Sequence, residues 1–432
     1  MLSPLILECA RPQPDRARLR QFAAAVDDWD AVVSQAEEHG LAPLLHWHLQ
    51  AEGADVPEAP AHRLRDRFRR NACRNLRFGS ELLQLSATLE SAGIPVLAFK
   101  GPVTARTLYE SPALREMSDV DILVPPADAR RAYDLLLSEG CVSNYPGADW
   151  RMFDWLSETS LNFGEVPIDL HWASLPRLLR FADAGAGAWM RSRQVPVAGG
   201  AVRTLSPEDL LLFLSIHGAK HCWTSLNWLA DWSRLAARPE VDWDVVIARA
   251  RAGRASRTLS LALALIRDLL ECPSPVDLPG DPIATALAQQ LSRELRSGSG
   301  WPHTTGQRIR FAAALAETPA AKALVFWNPL QPTLADDAWL RFPGRCITRI
   351  TWPGRSASWP STPPGYFSPA CVAFTSVLSV IVMEYTLEGS LALLTLSTMT
   401  RLVPPPAART TLSKVPDAAG GRHAVFIRRD LG

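Results

Sequence analysis

Residues 96–123 read VLAFKGPVTARTLYESPALREMSDVDIL, and the fold turns on this stretch. A short apolar run, Pro95–Phe99, ends at Lys100-Gly101, and Pro102–Tyr109 has helical spacing. A second apolar run covers Val120–Val124, and Ala127–Leu137 is helix-patterned again. The order strand, helix, strand, helix implies an α/β layer. Beyond Gly140, the segments Cys141–Tyr145, Ser160–Phe163 and Val166–His171 read as further strands, the last two joined across Gly164-Glu165 in hairpin fashion. The sheet is therefore expected to be mixed.

Within this layer, Asp119 and Asp121 stand two apart on one strand, so their carboxylates share a face and can share a cation. Asp169 lies on a later strand among apolar residues, where an acid is costly unless it is paired or metal-bound. Three such acids in one sheet point to hard-cation chemistry on a phosphate substrate.

On the N-terminal side, apolar residues recur at helical spacing from about Leu19 to Ile94. Glu52–Pro60 reads as a loop between helices, and Ser80–Ala92 as a closing helix stopped by Gly93. On the C-terminal side, Ser206-Pro207-Glu208-Asp209 supplies a cap, a first-turn proline and first-turn acids, and helices are expected from there to about Leu324. Beyond Arg345 the chain is rich in Pro, Ser, Thr, Gly and Arg. Its longest apolar stretch, Phe367–Met383, contains Pro369 and is shorter than the ~20 residues that span a bilayer, so membrane contact is not expected.

The expected class is α+β, with an α/β-type mixed-sheet core. The expected division is a helical region at 1–94, the core at 95–200, a helical domain at 201–345 and an irregular tail at 346–432.

The 432 residues carry 45 Lys+Arg against 44 Asp+Glu, so no global field draws in a nucleic acid or an anionic membrane. Only Lys100, Lys220, Lys322 and Lys414 are lysines, which singles out Lys100 beside the turn glycine as a candidate phosphate contact. Gly101 would let backbone N–H groups approach that phosphate closely. Seven scattered cysteines without a CxxC pair disfavour both a metal cluster and a disulfide framework, and the N-terminus lacks the apolar core of a secretory signal. A cytoplasmic protein is expected.

The segment resembles the nucleotidyltransferase superfamily typified by DNA polymerase β, and in particular its bacterial branch of uncharacterised nucleotidyltransferases. The branch pattern KG…Y…R-x-M-x-D-x-D is matched at Lys100, Gly101, Tyr109, Arg115, Met117, Asp119 and Asp121. His217-Gly-Ala-Lys-His221-Cys-Trp223 with Trp228-Leu-Ala-Asp231 looks like its later H-x-x-x-H-x-W…W-x-x-D region, and NPLQPTLADDAWLRFP like its last recognisable piece. Lys100-Gly101-Pro102 stands where the superfamily has Gly-Ser, and the tail matches nothing in the branch.

The resemblance implies transfer of a nucleoside monophosphate from a nucleoside triphosphate to an acceptor hydroxyl, with release of pyrophosphate. It implies two Mg²⁺ (or Mn²⁺) ions held by Asp119, Asp121 and Asp169, the last of these also helping to take the proton. Lys100, Gly101, Arg115 and Lys220 would bind the nucleotide. The acceptor, a small molecule, a peptide or a protein, is not specified by the sequence.

Each feature also has a plainer reading. Asp169 could be salt-bridged to an arginine, and Arg115 could lie on the surface. Tyr109, His217 and His221 are either substrate contacts or packing residues. The two histidines share a helix face, yet Gly218 stands where a zinc protease carries its catalytic Glu, which argues against that chemistry. The competing functional class is a catalytically degenerate nucleotide-binding or regulatory interaction module. A nucleic-acid polymerase is disfavoured by the near-zero charge.

Overall fold

Three of the first helices are capped by side chains that the sequence places one residue ahead of them. Ser3, Asp15 and Asp28 accept backbone N–H bonds at the starts of α1 (Pro4–Ala10), α2 (Arg16–Ala24) and α3 (Trp29–Glu38). α4 (Ala42–Ala51) follows, and then α5 (Glu58–Ser91), a single helix of 34 residues. The computed structural model describes residues 1–145, 157–172, 186–298, 302, 304–327, 410–416 and 423–429.

The sheet consists of β1 (Leu97–Ala98), β2 (Val120–Leu123), β3 (Val142–Ser143), β4 (Glu158–Phe163) and β5 (Val166–His171), in the order β1-β2-β5-β4-β3. Only β2 and β5 run parallel; the other pairs are antiparallel. Between β1 and β2 lies α6 (Pro102–Leu108), and α7 (Ala129–Ser138) follows β2. The fold is α+β with a mixed sheet, as the sequence implied. One detail differs: β1 runs antiparallel to β2 despite the helix between them. The turn at Gly101 packs its backbone against the Asp119 carbonyl, which sets the end of β1 beside the start of β2.

After α8 (Ala186–Met190) comes a hairpin absent from the sequence reading, β6 (Arg193–Val197) and β7 (Gly200–Thr204). It packs on α5 at Gly79, where an added Cβ would come 3.3 Å from Ala198. The remaining helices are α9 (Pro207–Lys220), α10 (Leu226–Ala236), α11 (Trp243–Ala252), α12 (Ser256–Leu270), α13 (Pro282–Ser297), α14 (Thr305–Leu315) and α15 (Pro319–Trp327).

Two apolar cores hold these elements. One joins α5 and α7 to the sheet and the β6–β7 hairpin, through residues such as Leu82, Leu85, Val120, Ile168 and Val202. The other takes Leu5, Ile6, Val33 and Leu45 from the first helices together with Leu211, Trp232, Leu261 and Leu265 from the later ones. The helical stretches expected as separate regions on either side of the sheet thus share one core.

The chain divides into two units, Met1–Pro360 and Ser361–Gly432; in the second, β8 (Thr410–Pro416) and β9 (His423–Arg429) pair antiparallel. Phe367–Met383 and the NPLQPTLADDAWLRFP segment lie outside the described residues. Among the described residues no helix is long and apolar enough to cross a membrane.

Candidate active site

The site begins where β1 ends. Gly101 adopts φ 53° and ψ −122°, a conformation that L side chains rarely take, and a Cβ there would lie 2.9 Å from the Asp119 carbonyl oxygen. This turn aims Lys100 inward. Its Nζ lies 2.7 Å from Asp121 Oδ1, with the lysine side chain 12 % and the aspartate 1 % exposed.

Asp121 lies on β2 directly in register with Asp169 on the parallel strand β5. Asp169 is half-buried and accepts a 2.6 Å hydrogen bond from Ser160 Oγ, its register partner on β4. Two residues further along β5, on the same face, His171 places Nε2 3.2 Å from Asp121 Oδ1 and Nδ1 3.1 Å from Glu158 Oε2. Glu158 is the register partner of His171, and its other oxygen sits 3.0 Å from Lys220 Nζ. Charges therefore alternate along the chain Lys220, Glu158, His171, Asp121, Lys100. Asp119, one residue ahead of β2, is half-buried and accepts from Ser118 Oγ at 3.1 Å.

The electrostatics follow from these contacts. Burial works to raise the Asp121 carboxyl, but Lys100 and His171 outweigh it and pull the group down to about 2. Burial opposes charge on His171, yet its bonds to Asp121 and Glu158 prevail and lift it to about 9. A carboxylate oxygen faces each ring nitrogen, an arrangement that favours the protonated ring. Lys100 is raised for the same reason, with the charges of Asp121 and Asp119 overcoming burial. Asp119 is raised by burial and then by repulsion from Asp121.

Asp121, Asp169 and His171 offer ligand atoms that all lie within 4.8 Å of one another. That group differs from the expected Asp119, Asp121 and Asp169: His171 enters, and Asp119 stands outside it while still feeling the charges of Asp121 and Asp169. The chemistry of the donors suits a hard cation. Asp121 Oδ2 is buried and has no hydrogen-bond partner among the described residues, an orphaned anionic oxygen of the kind a bound cation satisfies.

Arg115 and Tyr109, expected at the nucleotide or the acceptor, both lie against Asp231. Arg115 Nε lies 2.9 and 3.0 Å from the two Asp231 oxygens and its Nη2 lies 2.7 Å from Oδ2, while Tyr109 donates from its hydroxyl to Oδ1 at 2.7 Å. All three residues are buried, so the carboxylate on α10 needs these partners, and it engages the Nε and Nη2 donors of the guanidinium. Lys220 is likewise engaged by Glu158.

His217 and His221, both half-buried, form an aromatic group with Phe213 and Trp228. His217 stacks on Phe213 at 6.0 Å and meets His221 at 4.7 Å and Trp228 at 5.6 Å between ring centroids. Burial and nearby cations hold both imidazoles neutral, His221 at about 4 and His217 well below its usual range. Phe213 also lies 4.7 Å from Phe99, which meets His171 edge-on at 5.1 Å, so the aromatic group borders the acid cluster.

Glu158, Ser160 and the role of His171 were not singled out in the sequence. A signal for all three was present. In a hairpin closed at Phe163 and Val166, counting back puts Ser160 opposite Asp169 and Glu158 opposite His171.

A family model described as "Uncharacterised nucleotidyltransferase" matches residues 26–271, more than half of the chain. The matched stretch covers the whole sheet and runs through α12. No curated protein matches the chain.

Proposed function

We propose that this chain, which belongs to the uncharacterised nucleotidyltransferase family, transfers a nucleoside monophosphate from a nucleoside triphosphate to an acceptor hydroxyl. The observation that carries the reading is the in-register pair of Asp121 and Asp169 on parallel strands, with one buried Asp121 oxygen left unpaired. In the reaction the acceptor oxygen forms a bond to the α-phosphorus, the bond from that phosphorus to the bridging oxygen of the β-phosphate breaks, and pyrophosphate leaves. Mg²⁺ or Mn²⁺ held by Asp119, Asp121 and Asp169 would neutralise phosphate charge and acidify the acceptor hydroxyl.

The chain's own groups carry the rest. Lys100 brings a fixed positive charge to the phosphate side of Asp121. His171, itself held by Glu158, keeps the Asp121 carboxylate ionised and oriented. Asp169, which accepts from Ser160 and is partly open to solvent, would receive the acceptor's proton. The half-buried faces of His217, His221 and Trp228 offer neutral, apolar contact to a base or an acceptor.

The experiment is incubation with each labelled triphosphate and Mg²⁺, following pyrophosphate release and the fate of the label. Asp121→Asn and Asp169→Asn should each abolish metal-dependent release while the protein stays folded; wild-type turnover in either variant overturns the reading. A second reading, a nucleotide-binding module without turnover, is favoured by the two cationic side chains already on Asp121 Oδ1. Nucleotide binding with no pyrophosphate release from any triphosphate would establish it.

A further inference from the structure

We infer that the Lys100 ammonium takes the place of one of the two cations expected at this carboxylate cluster, so that the protein binds a single divalent ion together with its nucleotide. The inference rests on the nucleotidyl-transfer reading and deepens it.

Two cations share a carboxylate by each taking one of its oxygens or by bridging both. Asp121 is the acid best placed to be shared, since it stands between Asp119, just ahead of its own strand, and Asp169 on the neighbouring one. Its Oδ1, however, already faces two side-chain nitrogens, Lys100 Nζ at 2.7 Å and His171 Nε2 at 3.2 Å. Only Oδ2 is left, and it is both buried and, among the described residues, unpaired. The carboxylate thus offers one oxygen, and so one place, to an added ion.

Lys100 is built into this position. Its neighbour Gly101 is fixed in a conformation of positive φ against the Asp119 carbonyl. Its Nζ lies 5.9 Å from the Phe99 ring centroid and 6.0 Å from that of Phe213, two rings that are themselves in contact at 4.7 Å. The ammonium has aromatic faces on one side and a carboxylate on the other, and its side chain is only 12 % exposed. An ion displacing it would have to drive a charged group out of a packed pocket and away from its counter-charge.

The chemistry divides naturally between the two positions. An ammonium carries a compact positive charge and three donors but has no vacant orbital, so it can neutralise a phosphate and cannot acidify a hydroxyl by coordination. Lys100 would therefore serve the phosphate side, and the divalent ion on Asp121 Oδ2 and Asp169 would serve the acceptor side. The Lys100-Gly101-Pro102 turn, which departs from the Gly-Ser of the resembled superfamily, then has a chemical use.

The test counts Mn²⁺ bound per chain by equilibrium dialysis, with a saturating nucleoside 5′-(α,β-imido)triphosphate on both sides of the membrane. Wild type should bind one ion per nucleotide-bound chain. Lys100→Met, similar in length and uncharged, should bind two, and Lys100→Arg should stay at one. Two ions on the wild type, or no second ion on Lys100→Met, overturns the inference and leaves nucleotidyl transfer standing. Absence of any saturable Mn²⁺ that Asp121→Asn removes overturns the underlying reading itself. Should Lys100→Met fail to fold, the wild-type count alone decides.

Discussion

Asp231→Asn removes the one negative charge in a buried cluster and leaves the Arg115 guanidinium without its counter-ion. Asp231 is fully buried, and it accepts from Arg115 Nε and Nη2 and from the Tyr109 hydroxyl at 2.7–3.0 Å. Breaking a buried ion pair from one side costs about 3–5 kcal/mol, because the surviving charge stays desolvated. The asparagine amide can still accept one bond, but its NH₂ group faces a guanidinium that only donates, so little of that cost is recovered. For a unit of this size, each kcal/mol lowers the melting temperature by about 2 °C, so a drop of about 6–10 °C is expected. The assay is urea and thermal unfolding of wild type, Asp231→Asn, Arg115→Met and the double variant Arg115→Met with Asp231→Leu. Each single change should be strongly destabilising, and the double change should recover much of the loss because no charge remains buried. If both single variants lose less than about 1 kcal/mol while Arg115→Met weakens triphosphate binding by tenfold or more, Arg115 is a phosphate ligand and the structural assignment fails.

Gly101→Ala should cost about 1–3 kcal/mol, since it forces an L residue into positive φ and a Cβ against the Asp119 carbonyl; a melting temperature equal to wild type would refute the close approach. Stability should peak near neutral pH. His48 and His221, both near 4 in the folded chain, contribute stability that is complete above about 6.5 and lost as pH falls toward 4, with a slope of at most about 1.4 kcal/mol per pH unit per group. His171, lifted to about 9, contributes stability that is complete below about 6.5 and lost as pH rises through 9, so in EDTA His171→Asn should flatten the alkaline limb of the melting profile. A chain ended at residue 345 should melt within about 2 °C of full length, because every buried apolar residue among the described side chains lies at or before Val325; aggregation or loss of a cooperative transition would place the tail in the main core.

How much of this was legible in the sequence depends on what each residue's neighbours are. β2, β4, β5, α6 and α7 follow from local period and turn chemistry, and the structure has them within a few residues of the expected bounds. α5 is harder to read because its period falters between Leu64 and Phe78. Two of the inward positions there are Asn71 and Asn75, whose amides donate to the backbone carbonyls of Pro112, Ala113 and Arg115. Buried asparagines that hold a loop look polar in a hydrophobicity pattern, so the sequence marks only Ser80–Ala92 as a distinct helix where the structure has one helix running from Glu58. The β6–β7 hairpin alternates buried and exposed residues over only five positions per strand, and its turn at Ala198-Gly199 puts a non-glycine residue at positive φ.

The same distinction separates the motif residues by role. Tyr109, Arg115 and Asp231 belong to the recognised pattern as clearly as Asp121 does, yet they form one buried cluster that ties the segment before β2 to α10. Asn71 and Asn75 fix the backbone of that segment from α5, and Arg67 on the same helix makes a two-bond contact with Glu116. Four residues after Arg115, the chain reaches Asp119 and then Asp121. A cluster that sets where β2 begins also sets where its acids sit relative to Lys100 and Asp169, and a displacement of about 1 Å is enough to disrupt catalytic geometry. Pattern alone cannot tell an arginine that binds a phosphate from one that positions the strand beside it. A carboxylate buried against the guanidinium, as Asp231 is here, favours the second role.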